Sequence, residues 1–248
     1  MDQQSPLWEL DGITKTFPGV CANDCISIRL RAGEIHALLG ENGCGKSTLI
    51  KILSGVHQPD AGTIRRRGEV VQLTSPIQAR AQGVATVFQE FSLTPTLTVA
   101  ENIFLGRYPR RGPLVDWPRM KKEAAEVLGS LDIAIATDRI VGSLSVAEQQ
   151  LVEIAKAISI DATLLILDEP STALGEQEIV ALHQLLRRMK DRGVSILYIS
   201  HRLDEVVSLV DSATILKDGK VVSTAEGTSL DIDEIVSKMV GEDIEEHY

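Results

Sequence analysis

The stretch Gly40-Glu41-Asn42-Gly43-Cys44-Gly45-Lys46-Ser47-Thr48 constrains this chain more than any other. It has the form G-x-x-x-x-G-K-S, that of a phosphate-binding loop. The apolar run Glu34 to Leu39 before it reads as a buried strand, and Ser47 to Leu53 after it as the first turns of a helix. A strand, a glycine turn and a helix start gather several backbone N–H groups around one anion. Gly40, Gly43 and Gly45 permit positive φ and close backbone approach. Asn42, Cys44 and Thr48 complete the cradle. Lys46 adds a point charge for β- and γ-phosphates, and the Ser47 hydroxyl is a hard oxygen donor of the kind Mg²⁺ prefers.

The length of 248 residues suits one large domain or two small ones, and the 44% hydrophobic content supplies an ample, mainly aliphatic core. The net charge of −10 argues against broad attraction to nucleic acid or an anionic membrane surface. Arg65-Arg66-Arg67 is a local exception, read as a solvated strand or turn. No apolar run approaches the ~18 residues that cross a bilayer, and Met1 to Gln4 lacks the basic and apolar regions of a secretory signal. The cysteines Cys21, Cys25 and Cys44 are odd in number, which fits reduced thiols in a cytosolic setting. Cys21 and Cys25 are expected to be packing residues. Cys44 is the reactive candidate, because a helix N-terminus lowers a thiol's pKa.

Strand-like runs cover Leu7 to Leu10, Ile26 to Leu30, Ile35 to Leu39, Gly62 to Ile64, Val70 to Leu73 and Val84 to Phe88. The middle of the chain turns helical at Thr98 to Phe104, Arg119 to Leu128 (with Asp116 as N-cap) and Val146 to Ile158. Alternation then returns: strand Thr163 to Leu167, helix Gln177 to Lys190, strand Val194 to Ile199, helix Leu203 to Leu209. A hairpin, Ala213 to Lys217 and Lys220 to Thr224, turns at Asp218-Gly219. A helix over Asp231 to Val240 and an acidic tail close the chain. The expected fold is α/β: a P-loop NTPase with a mostly parallel core sheet, an N-terminal antiparallel β subdomain and a helical insertion. Residues 1–241 are expected to form one domain, with a catalytic core of about 1–90 and 160–241 and a helical part of about 91–160. Residues 242–248 read as an acidic tail or linker.

Thr163-Leu164-Leu165-Ile166-Leu167-Asp168-Glu169-Pro170 is an apolar strand ending in two carboxylates, and such strand ends open onto the ligand crevice. Asp168 can hold Mg²⁺ beside Ser47. Glu169, one residue further, points elsewhere and can polarise an attacking water. Leu144-Ser145-Val146-Ala147-Glu148-Gln149-Gln150 then precedes a long helix. It resembles the signature motif of ATP-binding cassette (ABC) proteins. The order of phosphate loop, Gln89, signature, Asp168-Glu169 and His201 fits that family over essentially the whole chain. The LSVAEQQ form, with Thr98 to Gly106 and Ser200 to Glu205, is similar to the monosaccharide importers for ribose, galactose, arabinose and xylose.

That resemblance implies further roles. Gln89 reaches Mg²⁺ or the attacking water, and His201 contacts the γ-phosphate and orients the water with Glu169. Phe17 stacks on adenine, although a small core contact is an equal reading of it. Ser145, Val146, Ala147 and Glu148 face the γ-phosphate held by a second cassette, either a tandem half or another copy. Two glycines of the common signature are replaced by Val146 and Ala147, and a glutamine by Glu148, whose carboxylate is unfavourable if it points at phosphate. Gly175 stands where many cassettes carry Asp. His36, His57, His183 and His247 are structural or solvated. The implied function is ATP hydrolysis with Mg²⁺, energising monosaccharide import at the cytoplasmic face of the inner membrane. The partners would be an integral membrane sugar permease and, indirectly, an extracytoplasmic sugar-binding protein, with no nucleic acid. The alternative is a soluble cassette ATPase of DNA repair or translation. The N-K-x-D motif of guanine-nucleotide proteins is missing from the sequence.

Overall fold

The computed structural model describes residues 6–89 and 91–226. Its first layer is an antiparallel sheet of β1 (Trp8–Phe17), β2 (Val20–Leu30), β4 (Ala61–Arg66) and β5 (Glu69–Val71), in the order β2-β1-β4-β5. The central sheet contains β3 (Ile35–Leu39), β6 (Val84–Val87), β9 (Leu164–Asp168), β10 (Ser195–Ile199), β11 (Ser212–Lys217) and β12 (Lys220–Glu226). Their order is β12-β11-β3-β10-β9-β6, parallel throughout except for the β11–β12 hairpin. The helices are α1 (Lys46–Leu53), α2 (Pro76–Ala81), α3 (Val99–Ile103), α4 (Trp117–Ser130), α5 (Val146–Ile158), α6 (Glu176–Asp191) and α7 (Leu203–Leu209). A two-residue hairpin, β7 (Arg110–Arg111) with β8 (Leu114–Val115), lies between α3 and α4. The mostly parallel α/β architecture is thus as the alternation of runs predicts.

Packing on both faces explains why the central strands are largely apolar, with hydrogen-bonded exceptions at His36 in β3 and Ser195 in β10. Leu165, Leu167, Ile196 and Tyr198 face a core shared with α3, α4, α5 and α6. Their strand neighbours Leu164, Ile166, Leu197 and Ile199 face a second core with α1 and the antiparallel sheet. A strand covered on both faces admits a polar side chain only where a buried partner satisfies it. Each buried aliphatic residue contributes about 1.5–3 kcal/mol.

Strands β1 and β2 run well beyond the expected segments. Register shifts carry β1 past Gly12, which has φ +63°, and β2 past Cys25, which has φ +55°. The bulged strand corrects one expectation. Cys21 and Cys25 do not pack: both are exposed, while Asn23 between them is fully buried. Helix α2 and the β7–β8 hairpin were not anticipated. Ser75 caps α2 by accepting from the Gln78 N–H, and Pro76 opens its first turn. Asp116 caps α4, as its position suggests, by accepting from the Arg119 N–H at 3.1 Å. The expected helix Asp231 to Val240, the acidic tail and His247 lie outside the described residues.

Candidate active site

The phosphate loop follows β3, Gln89 follows β6, Asp168-Glu169 end β9 and His201 follows β10. Since β3, β10, β9 and β6 are consecutive parallel neighbours, these segments line one edge of the sheet, at its carboxyl end.

Gly45 begins α1 in the left-handed region, with φ +107°. A Cβ there would lie 2.2 Å from the Ala22 carbonyl oxygen, so only glycine fits. Gly40 is equally confined: a Cβ would meet the Leu216 carbonyl oxygen at 2.3 Å. The loop is therefore held by chain segments remote in sequence. The buried Asn23 amide donates to the Gly45 carbonyl at 3.1 Å. The Gly219 N–H, from the β11–β12 turn, donates to the Cys44 carbonyl at 3.1 Å, and Gly219 in turn accepts from the Asp24 N–H. The Lys46 ammonium lies within the loop, donating to the carbonyls of Gly40 at 2.7 Å and Glu41 at 2.9 Å. Cys44 is buried, with its Sγ 3.8 Å from the Lys46 Nζ, so the reactive-thiol expectation meets a shielded group.

Asp168 is held above the ordinary carboxylate range, first by burial and then by the charge of Glu169. Lys46 and Lys51 partly offset this. A carboxylate whose ionised form is disfavoured gains from a cation beside it. Mg²⁺ commonly takes one or two carboxylates together with phosphate oxygens and water. The Asp168 carboxylate, Ser47 hydroxyl and Gln89 amide are all hard oxygen donors and fit such an ion. Among the described residues no group of three or more His, Cys, Asp or Glu is placed to hold a metal ion.

Glu169 adopts φ +50°, the left-handed region that a non-glycine residue enters at a cost of about 1–3 kcal/mol. That turn separates its side chain from Asp168. Its N–H donates to the Ile199 carbonyl at 3.0 Å, and its Oε1 stands 3.4 Å from the Nδ1 of His201. Behind this pair lies a network that sequence reading did not find. The buried Glu205 carboxylate accepts from the Ser171 hydroxyl at 2.6 Å and the Tyr198 hydroxyl at 3.1 Å, with the Arg202 Nε 2.7 Å from its other oxygen. The loop after Glu169 is thereby tied to the helix after His201. Gln89 is exposed beyond β6.

Ser145 caps α5 in a full capping box with Glu148. The Ser145 N–H donates to a Glu148 oxygen at 2.8 Å, and Arg139 pairs with the same carboxylate. These contacts, the backbone one first, hold Glu148 below the ordinary carboxylate range. The Glu148 carboxylate, unfavourable if it pointed at phosphate, is paired locally with Arg139. Val146 is exposed and Ala147 half-buried. Among the described residues no hydrogen bond or ion pair joins Ser145–Glu148 to Gly40–Thr48.

Phe17, at the tip of β1, is half-buried, edge-on to His57 at 5.4 Å, with the Lys15 ammonium 5.6 Å from its centroid. His36 is buried in a polar chain with Glu34, Ser212 and Thr214, and His183 packs edge-on against Tyr198 with burial pushing its pKa down. Both act as core histidines.

The neglected residue is Asn23. Asn23→Ala removes one of the two donors to the buried Gly45 carbonyl, leaving the Leu49 N–H, and is expected to cost about 0.5–1.5 kcal/mol. Chemical denaturation and ATP titration should both register the change; a variant equal to the parent in both would deny Asn23 its bracing role.

Comparison with known proteins agrees with this geometry. A family model described as ABC transporter matches residues 24–172. A protein of Agrobacterium fabrum named for ribose, galactose and methyl galactoside import is 51% identical over 246 residues, 99% of this chain and 49% of its own length. A ribose import ATP-binding protein of Rubrobacter xylanophilus is 49% identical, over 98% of this chain and 48% of its own. The chain spans about half the length of the relatives it matches. Among solved structures, the ADP conformation of an ATP-binding cassette from an ABC transporter superposes with a TM-score of 0.83 at 25% identity, covering 96% of this chain and 99% of that one. A dimeric cassette in a post-hydrolysis state, bound to ADP and Pi, gives 0.74 at 25% identity, covering 88% and 98%. With the motifs, the strand order and the family match in agreement, this chain belongs to the ABC transporter family.

Proposed function

We propose that the chain is an ATPase cassette that energises monosaccharide import through a separate membrane permease. The observation that carries the chemistry is the Glu169–His201 pair, 3.4 Å apart and next to a complete phosphate loop. Lys46 and the loop N–H groups would neutralise and orient the triphosphate. Ser47, Asp168 and Gln89 would hold Mg²⁺, which when bound supplies charge neutralisation between β- and γ-phosphates. Glu169 would accept a proton from the attacking water while His201 fixes that water in line. Positioning and electrostatics of this kind do most of the work in phosphoryl transfer.

The N–H groups at the start of α5 would serve the nucleotide of a second cassette, a tandem half or another copy, with Ser145, Val146, Ala147 and Glu148 at the contact. Phe17, exposed in part at the β1 tip, would meet the adenine. Residues 1–241 would be one ATPase unit and 242–248 a linker. The names of the relatives support sugar import over DNA repair or translation. No helix among the described residues is long and apolar enough to cross a membrane. A permease would therefore receive the motion around Gln89 to Gly106 at the cytoplasmic membrane face, fed by an extracytoplasmic sugar-binding protein. No nucleic acid partner is called for.

Lys46→Ala removes the charge that serves the phosphates, and ATP affinity is expected to fall by about tenfold to a hundredfold. A normal titration would contradict the loop assignment. Co-purification with a polytopic membrane protein, against ribosomes or DNA, tests the transport half of the reading.

A further inference from the structure

Between Leu105 and Lys122 six Lys or Arg residues stand against one acidic residue, Asp116, in a chain of net charge −10. The β7–β8 hairpin lies in the middle of this stretch. Arg110, Arg111, Gly112, Pro113 and Leu114 are all exposed, Leu114 to 72%, and Trp117 just beyond is 48% exposed. The hairpin is a built feature. Its neck is closed by the Asp116 N–H donating to the Pro109 carbonyl at 2.8 Å. Tyr108 packs on Trp117 with ring centroids 6.3 Å apart, holding the indole at the hairpin base.

The neighbouring charged groups are already engaged. The Asp116 carboxylate caps α4, Glu123 pairs with Arg119, and Arg107 donates to the carbonyls of Ile103 and Ser159. Among the described residues neither Arg110 nor Arg111 has a carboxylate partner. Uncompensated guanidinium groups thus sit beside an exposed indole and an exposed leucine. Arginine matches phosphate geometry, tryptophan favours the headgroup level of a bilayer, and an aliphatic side chain gains from shallow burial there. A polynucleotide would also accept cations and an aromatic ring, but an exposed leucine beside a proline turn adds nothing to that contact.

We propose that the 110–115 hairpin, with Trp117, is a membrane-surface contact that rests on anionic phospholipid headgroups. This rests on the reading above that the chain works beside a membrane. The acidic remainder of the molecule would be repelled by the same surface, so the hairpin would also set orientation.

The test mixes the full chain with vesicles of phosphatidylglycerol and phosphatidylethanolamine, or of phosphatidylcholine alone. Of the two tryptophans, Trp8 is fully buried, so a lipid-dependent emission shift reports Trp117. A blue shift and co-sedimentation are expected with anionic vesicles only, both fading at high salt. Arg110→Gln combined with Arg111→Gln should weaken the interaction by about thirtyfold. Leu114→Ser should reduce the shift, and ATP affinity should stay unchanged in all variants. The proposal is overturned by any of three results: no shift or sedimentation with anionic vesicles; undiminished binding of the double arginine variant; or binding to a polynucleotide, or to the permease alone, without binding to vesicles. A parent chain that binds vesicles but not ATP would strike the ATPase reading instead and leave this one standing.

Discussion

Glu169→Gln is expected to bind ATP as the parent does and to hydrolyse it at least about a hundredfold more slowly. The amide keeps the size of the side chain and its backbone turn at φ +50°, with the N–H still held by the Ile199 carbonyl. It loses the ability to take a proton from water. The partner at 3.4 Å, His201, is 62% exposed, and the next residue, Arg202, is paired with Glu205 of α7. His201 would hold the water but leave it unactivated. Such a variant should also persist in its ATP-bound, paired form. Phosphate release measured in a single turnover, beside equilibrium ATP binding, separates the two effects. Unaltered turnover would remove Glu169 from the role of base.

Gly45→Ala should abolish nucleotide binding without unfolding the chain. The new methyl group would stand 2.2 Å from the Ala22 carbonyl oxygen and 2.6 Å from the Asn23 amide nitrogen, at φ +107°. Neither obstacle is a flexible side-chain end free to swing: one is backbone, and Asn23 is fully buried. The loop must move, and misplacement of a phosphate cradle by about 1 Å costs on the order of a hundredfold. Gly43→Ala is the internal comparison. Its φ is +86°, but a Cβ there meets no protein atom within 4 Å, so the free loop bears only the conformational cost of about 1–2 kcal/mol. ATP titrations of both variants, with circular dichroism to verify folding, give the contrast. Equal losses in the two would mean that steric fit at Gly45 is not what sets the loop.

What was legible in the chain was local. Gly40–Ser47 and the apolar run into Asp168-Glu169 announce themselves because a buried strand and its carboxyl-terminal turn are contiguous in sequence. Ser145 was legible as a helix cap for the same reason, and its Glu148 partner lies three residues on. What stayed hidden depends on register and long-range contact. Cys21 and Cys25 looked like packing residues because nothing in the letters marks the bulge that turns them outward and Asn23 inward. Asn23 itself meets Gly45 from 22 residues upstream, and a polar residue in a strand reads as surface. Glu205 reads as a solvated helix residue until β10 brings Tyr198, and the β9 loop brings Ser171, against it. The β7–β8 hairpin is too short for any periodicity to betray it.

The Asp218–Gly219 turn has a consequence for biosynthesis. Gly219 caps the Cys44 carbonyl from far downstream, and the Leu216 carbonyl bounds Gly40. During translation, the loop sequence leaves the ribosome long before those wedges exist. A nascent chain therefore carries an unsupported version of its own cradle until the Asp218–Gly219 turn has been made and has docked.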